Sequence, residues 1–295
     1  MAAVSPNSFP IVDAHQHFWD PRINYHPWLC DQPPVPFRYG DYSALRRPYL
    51  PADYFADAAP HVVAKTVYVE TEWDPRDPLG EMRYVECLRS ETVFPTVAVA
   101  QARLDRDEIG ATLDALGKFD FVRGIRHKPR PGQMSEQRWR AGFAQLCKRG
   151  LRFDLQTPWL QLEEAARLAQ DFPDTCIILN HAGLPANRSR EGIAGWKQAL
   201  QALAASPNTA IKISGLGVPG QAWTAQANRE VVLAAIDIFG VERAMFASNF
   251  PVDGLCASFD AIVTGMRAIM RDFPAGEQRA FFHDNAVRIY DMERT

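Results

Sequence analysis

Eight short, mostly apolar runs rich in β-branched residues punctuate this 295-residue chain, and helical patterns separate them. The runs predict strands over 11–18, 63–70, 94–101, 121–127, 151–157, 176–181, 210–215 and 244–249. Between them, "DRDEIGATLDALGKF" opens on acidic residues, Ser135 and Gly150 bracket another amphipathic stretch, and "LQLEEAARLAQDFP" stops at a proline. Strands that alternate with helices and are apolar on both faces form a parallel sheet covered on both sides. Eight of them at this length predict one closed (β/α)8 TIM-type barrel rather than a doubly wound sheet. That single domain is expected over 11–295, preceded by a disordered tail over 1–10.

The segment after the first strand is unusual. From residue 18 to about residue 50 it is rich in Pro, aromatics and Arg, and too long for a plain connection. Its aromatics (Trp19, Tyr25, Trp28, Phe37, Tyr39, Tyr42) argue against disorder, so it reads as a structured flap over one end of the barrel.

The formal net charge of −3 gives no basic face for nucleic acid, and no apolar run is long enough to span a membrane. "MAAVSPNSFP" lacks the basic and apolar regions of a signal peptide. Five cysteines without a CxxC pair suit reduced thiols. The expectation is a cytoplasmic monomer or homodimer acting on a small molecule, without nucleic-acid or membrane partners.

Chemistry in such barrels gathers at the carboxyl ends of the strands. There the chain places His15 and His17, then Glu70 and Glu72, Arg126 and His127, Asp154 and Gln156, Asn180 and His181, Lys212 and Ser214, and finally Ser248, Asn249 and Asp253. Period-two alternation puts His15 and His17 on one strand face, about 6.5 Å apart, and would put Ile11 and Asp13 on it too. Two imidazoles so spaced, with a third from another strand, suit convergence on a metal ion or a polar substrate group. Arginines favour carboxylates, so Arg126, with His127, Gln156 and Glu70 nearby and Trp28 as an apolar wall, is the expected substrate-binding set.

The stretches "VDAHQHFWDP", "VYVETEWDPRDP", "VRGIRHKP", "LNHAG", "IKISGL", "FASNFPVDGL" and "HDNAVRIY" resemble the amidohydrolase-2 family, and most closely its branch of sugar-lactone and pyrone-dicarboxylate lactonases. The likeness runs from Ile11 to Tyr290. It implies a distorted barrel whose family histidines fall on His15, His17 and His181, and a hydrolase that opens a small cyclic ester, sugar-derived or carboxylated. The family's last-strand aspartate falls on Asn249, which is a departure. An amide orients a water or an oxyanion but does not take its proton. Asp253, Glu70 or Glu72, or one of the histidines is left to act as base, with Asp253 preferred for its nearness. The resemblance implies either no cofactor or one divalent metal, zinc first, on His15, His17 and His181. Two rival readings follow from the same likeness: a metal-dependent decarboxylase, or a weakly active binding paralogue permitted by Asn249.

Overall fold

The structure of the protein, a computed structural model, describes residues 9–293. Its strands are β1 (Ile11–Gln16), β2 (Val63–Val69), β3 (Val97–Gln101), β4 (Val122–Arg126), β5 (Arg152–Leu155), β6 (Ile177–Leu179), β7 (Thr209–Ile213) and β8 (Ala244–Phe246). They lie in sequence order in one parallel sheet. The sheet closes just past β8, where Asn249 N donates to His15 O at 2.8 Å and His17 N donates to Phe250 O at 2.9 Å. The eight alternating runs thus make the (β/α)8 barrel they predict. Several strands stop short of their predicted ends because the last residues leave the ladder to build the barrel mouth. His181, for example, lies in the turn Asn180–Gly183, at φ 54°.

Burial follows the layers of a filled barrel. Val12, Ala14, Val67, Val69, Val97, Val99, Ile178, Ala210 and Met245 pack the lower interior. Helices cover the outside. The helix Leu162–Asp171 buries Leu162, Ala165, Leu168 and Ala169, the three-to-four spacing of one apolar stripe. Ser189, Thr224 and Ser258 start later helices by accepting a bond from the backbone N–H three residues on. Ser135 does not cap the helix it precedes; it ends a 3-10 turn, and the helix runs Gln137–Cys147.

Above the apolar floor sits a polar layer with no access to water. Lys212 Nζ lies 2.5 Å from Asp154 Oδ1, and both side chains are fully buried. Tyr290, just after the helix Asn285–Ile289, donates its hydroxyl to the same carboxylate at 2.8–2.9 Å, and Asn180 Nδ2 donates to it at 2.9 Å. The C-terminal segment therefore plugs the barrel from below.

The flap is ordered. Trp19 and Tyr49 exchange backbone bonds at 3.0 and 2.9 Å, and Trp19 Nε1 donates to Leu45 O and Arg47 O. Of the expected tail, residues 1–8 lie outside the described residues, whereas the Phe9 ring packs 6.1 Å from Phe282. Among the described residues no helix is long and apolar enough to cross a membrane.

Asp154→Ala leaves the Lys212 ammonium buried without its counter-ion and should cost about 3–5 kcal/mol in chemical denaturation. Adding Lys212→Met should recover part of that loss. A double variant no more stable than the single one would contradict a coupled pair.

Candidate active site

A bulge in β1 decides which side chains face the mouth. Asp13 pairs with Thr66 and Gln16 with Tyr68, so β1 carries one residue more than β2 between them. Below it Val12 and Ala14 point inward; above it His15 and His17 do. The expected shared face is therefore corrected. Ile11 packs in the outer core, and Asp13 also points away from the histidines. The Asp13 carboxylate instead accepts from Ser248 N at 2.8 Å, Ser248 Oγ at 2.5 Å and Tyr54 Oη at 2.7 Å, tying β1 to β8 and to the helix Pro51–Ala58.

The three imidazoles converge. The His15 ring centroid lies 4.9 Å from that of His17 and 4.6 Å from that of His181. All three are buried, and burial holds each ring neutral: His17 is held down to about 3, with the Arg126 charge adding to the effect, and His15 and His181 are lowered well below the usual histidine value. Their partners differ. His17 Nδ1 donates to Val69 O at 2.7 Å, which leaves a lone pair on Nε2. His181 Nδ1 shares a 2.9 Å bond with the Ser214 hydroxyl. Both His15 nitrogens are buried without a partner among the described residues.

Asn249 stands at φ 56° beside them. Its Nδ2 donates to Asp253 Oδ1 at 2.8 Å, which turns its Oδ1 toward His17 Nε2 at 3.3 Å. With Nδ1 donating to Val69, Nε2 and the amide oxygen are both acceptors in contact, close enough for one donor to bridge the two.

His17, His181 and Asn249 line a cavity of about 350 Å³ together with Glu70, Arg126, Gln156, Trp28 and the flap residues Phe37 and Arg38. Six of the expected residues besides His15 and His17 are thus gathered at one mouth: His181, Asn249, Glu70, Arg126, Gln156 and Trp28. Arg126 is the hub on the β4 side: Nε donates to Glu70 Oε1 at 2.5 Å, Nη1 to Gln156 Oε1 at 2.9 Å, and Nη2 to Glu70 O. Trp28 stacks on Phe37 with centroids 5.9 Å apart and planes within 9°.

Two expectations are corrected. His127 follows Arg126 on the strand and points to the other face, where its Nδ1 accepts from Leu104 N and Trp139 Nε1 at 3.2 and 3.1 Å. It packs rather than facing this cavity. Asp253 does fold back, but beneath Asn249. Its carboxylate accepts from Tyr39 Oη, Asn249 Nδ2 and Gly215 N at 2.8–2.9 Å and does not line the cavity, so it holds Asn249 and the flap instead of facing a reacting water. Sequence reasoning gave no role to the Val69 carbonyl, and no side-chain pattern reveals a backbone acceptor. It also missed Gly215, at φ +64°, where a Cβ would sit 2.8 Å from His181 Cβ. A glycine directly after "KIS" is the one signal that was available.

Neutral imidazoles are the form that ligates a divalent cation, and the unpartnered nitrogens of His15 and the free Nε2 of His17 are donors of that kind. With the rings placed as they are, no group of three His, Cys, Asp or Glu side chains among the described residues is arranged to hold one.

The profile of the amidohydrolase family (Amidohydro_2) matches residues 12–292, nearly the whole barrel. The chain belongs to the amidohydrolase family. Within it, the chain is similar to the uncharacterized protein y4mH of Sinorhizobium fredii, at 40% identity over 95% of this chain and 98% of the relative. It is also similar to an L-fucono-1,5-lactonase of Burkholderia multivorans, at 26% identity over 95% of this chain and 96% of the relative. Among solved structures, an amidohydrolase from Burkholderia multivorans with bound zinc superposes with a TM-score of 0.81 at 25% identity, covering 96% of this chain and 99% of that one.

Two measurements probe the buried histidines and Asn249 of this amidohydrolase. Buried His17, His26 and His127 titrate near 3, 4 and 4, below the ordinary histidine range. Between about pH 6.5 and 4 these rings bind more protons in the unfolded chain, so their contribution to stability falls as pH is lowered, by up to ~1.4 kcal/mol per pH unit for each ring. Buried Glu81, whose carboxyl burial pushes up to about 7, offsets this in part. Urea midpoints at pH 7.5, 6 and 5 should decline steadily; flat midpoints would contradict neutral burial. Separately, Asn249→Asp puts an anion among three imidazoles and against Asp253. Elemental analysis should find zinc bound more tightly than in the parent, with lower stability after chelation.

Proposed function

We propose that this amidohydrolase is a hydrolase that opens a small cyclic ester by water attack, with His17 as the base. The observation that carries the reading is the facing pair of acceptors, His17 Nε2 and Asn249 Oδ1, 3.3 Å apart at the cavity wall. A water that donates one proton to each turns its lone pair toward a bound carbonyl. The Val69 carbonyl fixes the tautomer that leaves the Nε2 lone pair free to accept a proton from water.

His181 supplies the electrophilic side. With the Ser214 hydroxyl donating to Nδ1, its Nε2 carries the proton and polarises the lactone carbonyl. His17 then returns the water's proton to the departing ring oxygen. The Trp28–Phe37 stack gives a flat apolar face for a five- or six-membered ring, and the Glu70, Gln156 and Glu72 oxygens offer acceptors for its hydroxyls. The lactonase relatives support this class of substrate.

A pH-indicator screen of sugar lactones tests the reading, because each turnover releases one proton. His17→Gln should lower kcat by about 10²–10⁴-fold on any lactone the parent opens, with the fold retained by circular dichroism. An unaffected rate removes His17 from the chemistry. Proton uptake with release of CO2 from an aromatic acid would move the assignment to a lyase.

A further inference from the structure

Three cations line the cavity, and two are neutralised within the protein. Arg126 is bound to Glu70 and Gln156, and Lys128 pairs with Glu72. Arg38, delivered by the flap, is different. Its Nη2 reaches Asp253 Oδ1 only at 3.5 Å, and that oxygen already takes shorter bonds from Tyr39 and Asn249, at 2.9 and 2.8 Å. Its Nη1 is buried and finds no acceptor among the described residues. The side chain is 28% exposed, so its charge stays partly hydrated, but a buried N–H left without an acceptor still costs a hydrogen bond that a ligand oxygen can supply.

The guanidinium is also held in place. It lies 4.5 Å over the Tyr39 ring. On its other side Gly215 makes room: a Cβ there would come within 3.0 Å of Arg38 Nη1 and 2.8 Å of His181 Cβ. The unsatisfied N–H therefore lies beside the imidazole assigned to polarise the carbonyl.

We propose that Arg38 is a catalytic residue that binds the ester carbonyl oxygen as it gains charge and then holds the carboxylate of the hydroxy-acid product. The proposal rests on the ester-opening reading above. Water's oxygen forms the new bond to carbon, the carbonyl oxygen becomes the oxyanion, and the ring C–O bond breaks. The ring oxygen takes the proton that His17 removed from water, and the new carboxylic acid ionises to solvent. Negative charge appears on the carbonyl oxygen during attack and stays on the product carboxylate, and a guanidinium matches both states.

The test separates Arg38 from the reaction assignment. Four- to six-carbon aldonates and their alditols, identical except that CH2OH replaces the carboxylate, are titrated by calorimetry into the parent, Arg38→Lys and Arg38→Met. The parent should prefer at least one aldonate over its alditol by about 10-fold or more. Arg38→Met should lose about 10- to 100-fold in aldonate affinity while alditol binding stays within about threefold. Arg38→Lys should lie between, keeping the charge without the fork. On a lactone that the parent opens, Arg38→Met should lower kcat by about 10²–10³-fold. Absence of aldonate preference in the parent, its persistence in Arg38→Met, or an unchanged kcat overturns the proposal. If no lactone is opened yet the aldonate preference is present and falls with Arg38→Met, the carboxylate site stands and the ester-opening reading falls.

Discussion

The seam between the first and last strands is the constraint on which the site depends. Two backbone bonds and the Asp13 carboxylate clamp the end of β1 to the segment following β8. Closure brings together residues 232 positions apart, so that His17 and Asn249 meet at 3.3 Å. The bulge in β1 belongs to the same joint. Its extra residue turns Asp13 outward to make the clamp and His15 inward to meet His181. One local irregularity thus serves both stability and chemistry.

Burial then sets the chemical character of the histidines. Each loses water, and no carboxylate lies close enough to hold a proton on the ring, so all three stay neutral. What distinguishes them is the second ring nitrogen: a carbonyl for His17, a hydroxyl for His181, nothing for His15. Three identical side chains thereby acquire different hydrogen-bonding states from backbone and neighbour atoms. Asn249 in place of an acid suits this arrangement, because its amide satisfies buried Asp253 while its oxygen serves the cavity.

Two of the cations at the mouth, Arg126 and Lys128, are paired with Glu70 and Glu72, and Arg38 keeps an unused donor. The Arg126–Glu70 ion pair is almost completely buried and spans β4 to β2, stiffening one wall. The opposite wall belongs to the flap, whose aromatics pack on one another and whose Tyr39 is anchored on Asp253. The flap is therefore part of the site and not a cover added to it.

The barrel, its order of strands and the gathering of His15, His17, His181 and Asn249 were all legible in the chain, because apolar periodicity and strand-end position are local properties that survive folding unchanged. The flap's order was legible for the same reason: its aromatics had to be buried somewhere. Tertiary structure alone decided that Asp13 faces outward, that His127 packs against Trp139, that Asp253 lies beneath Asn249, and that Arg38 enters with a free donor. Each of those outcomes turns on a bulge, a left-handed backbone angle or a partner more than ten residues away, and such choices are settled by competition for hydrogen-bond partners only when the whole barrel closes.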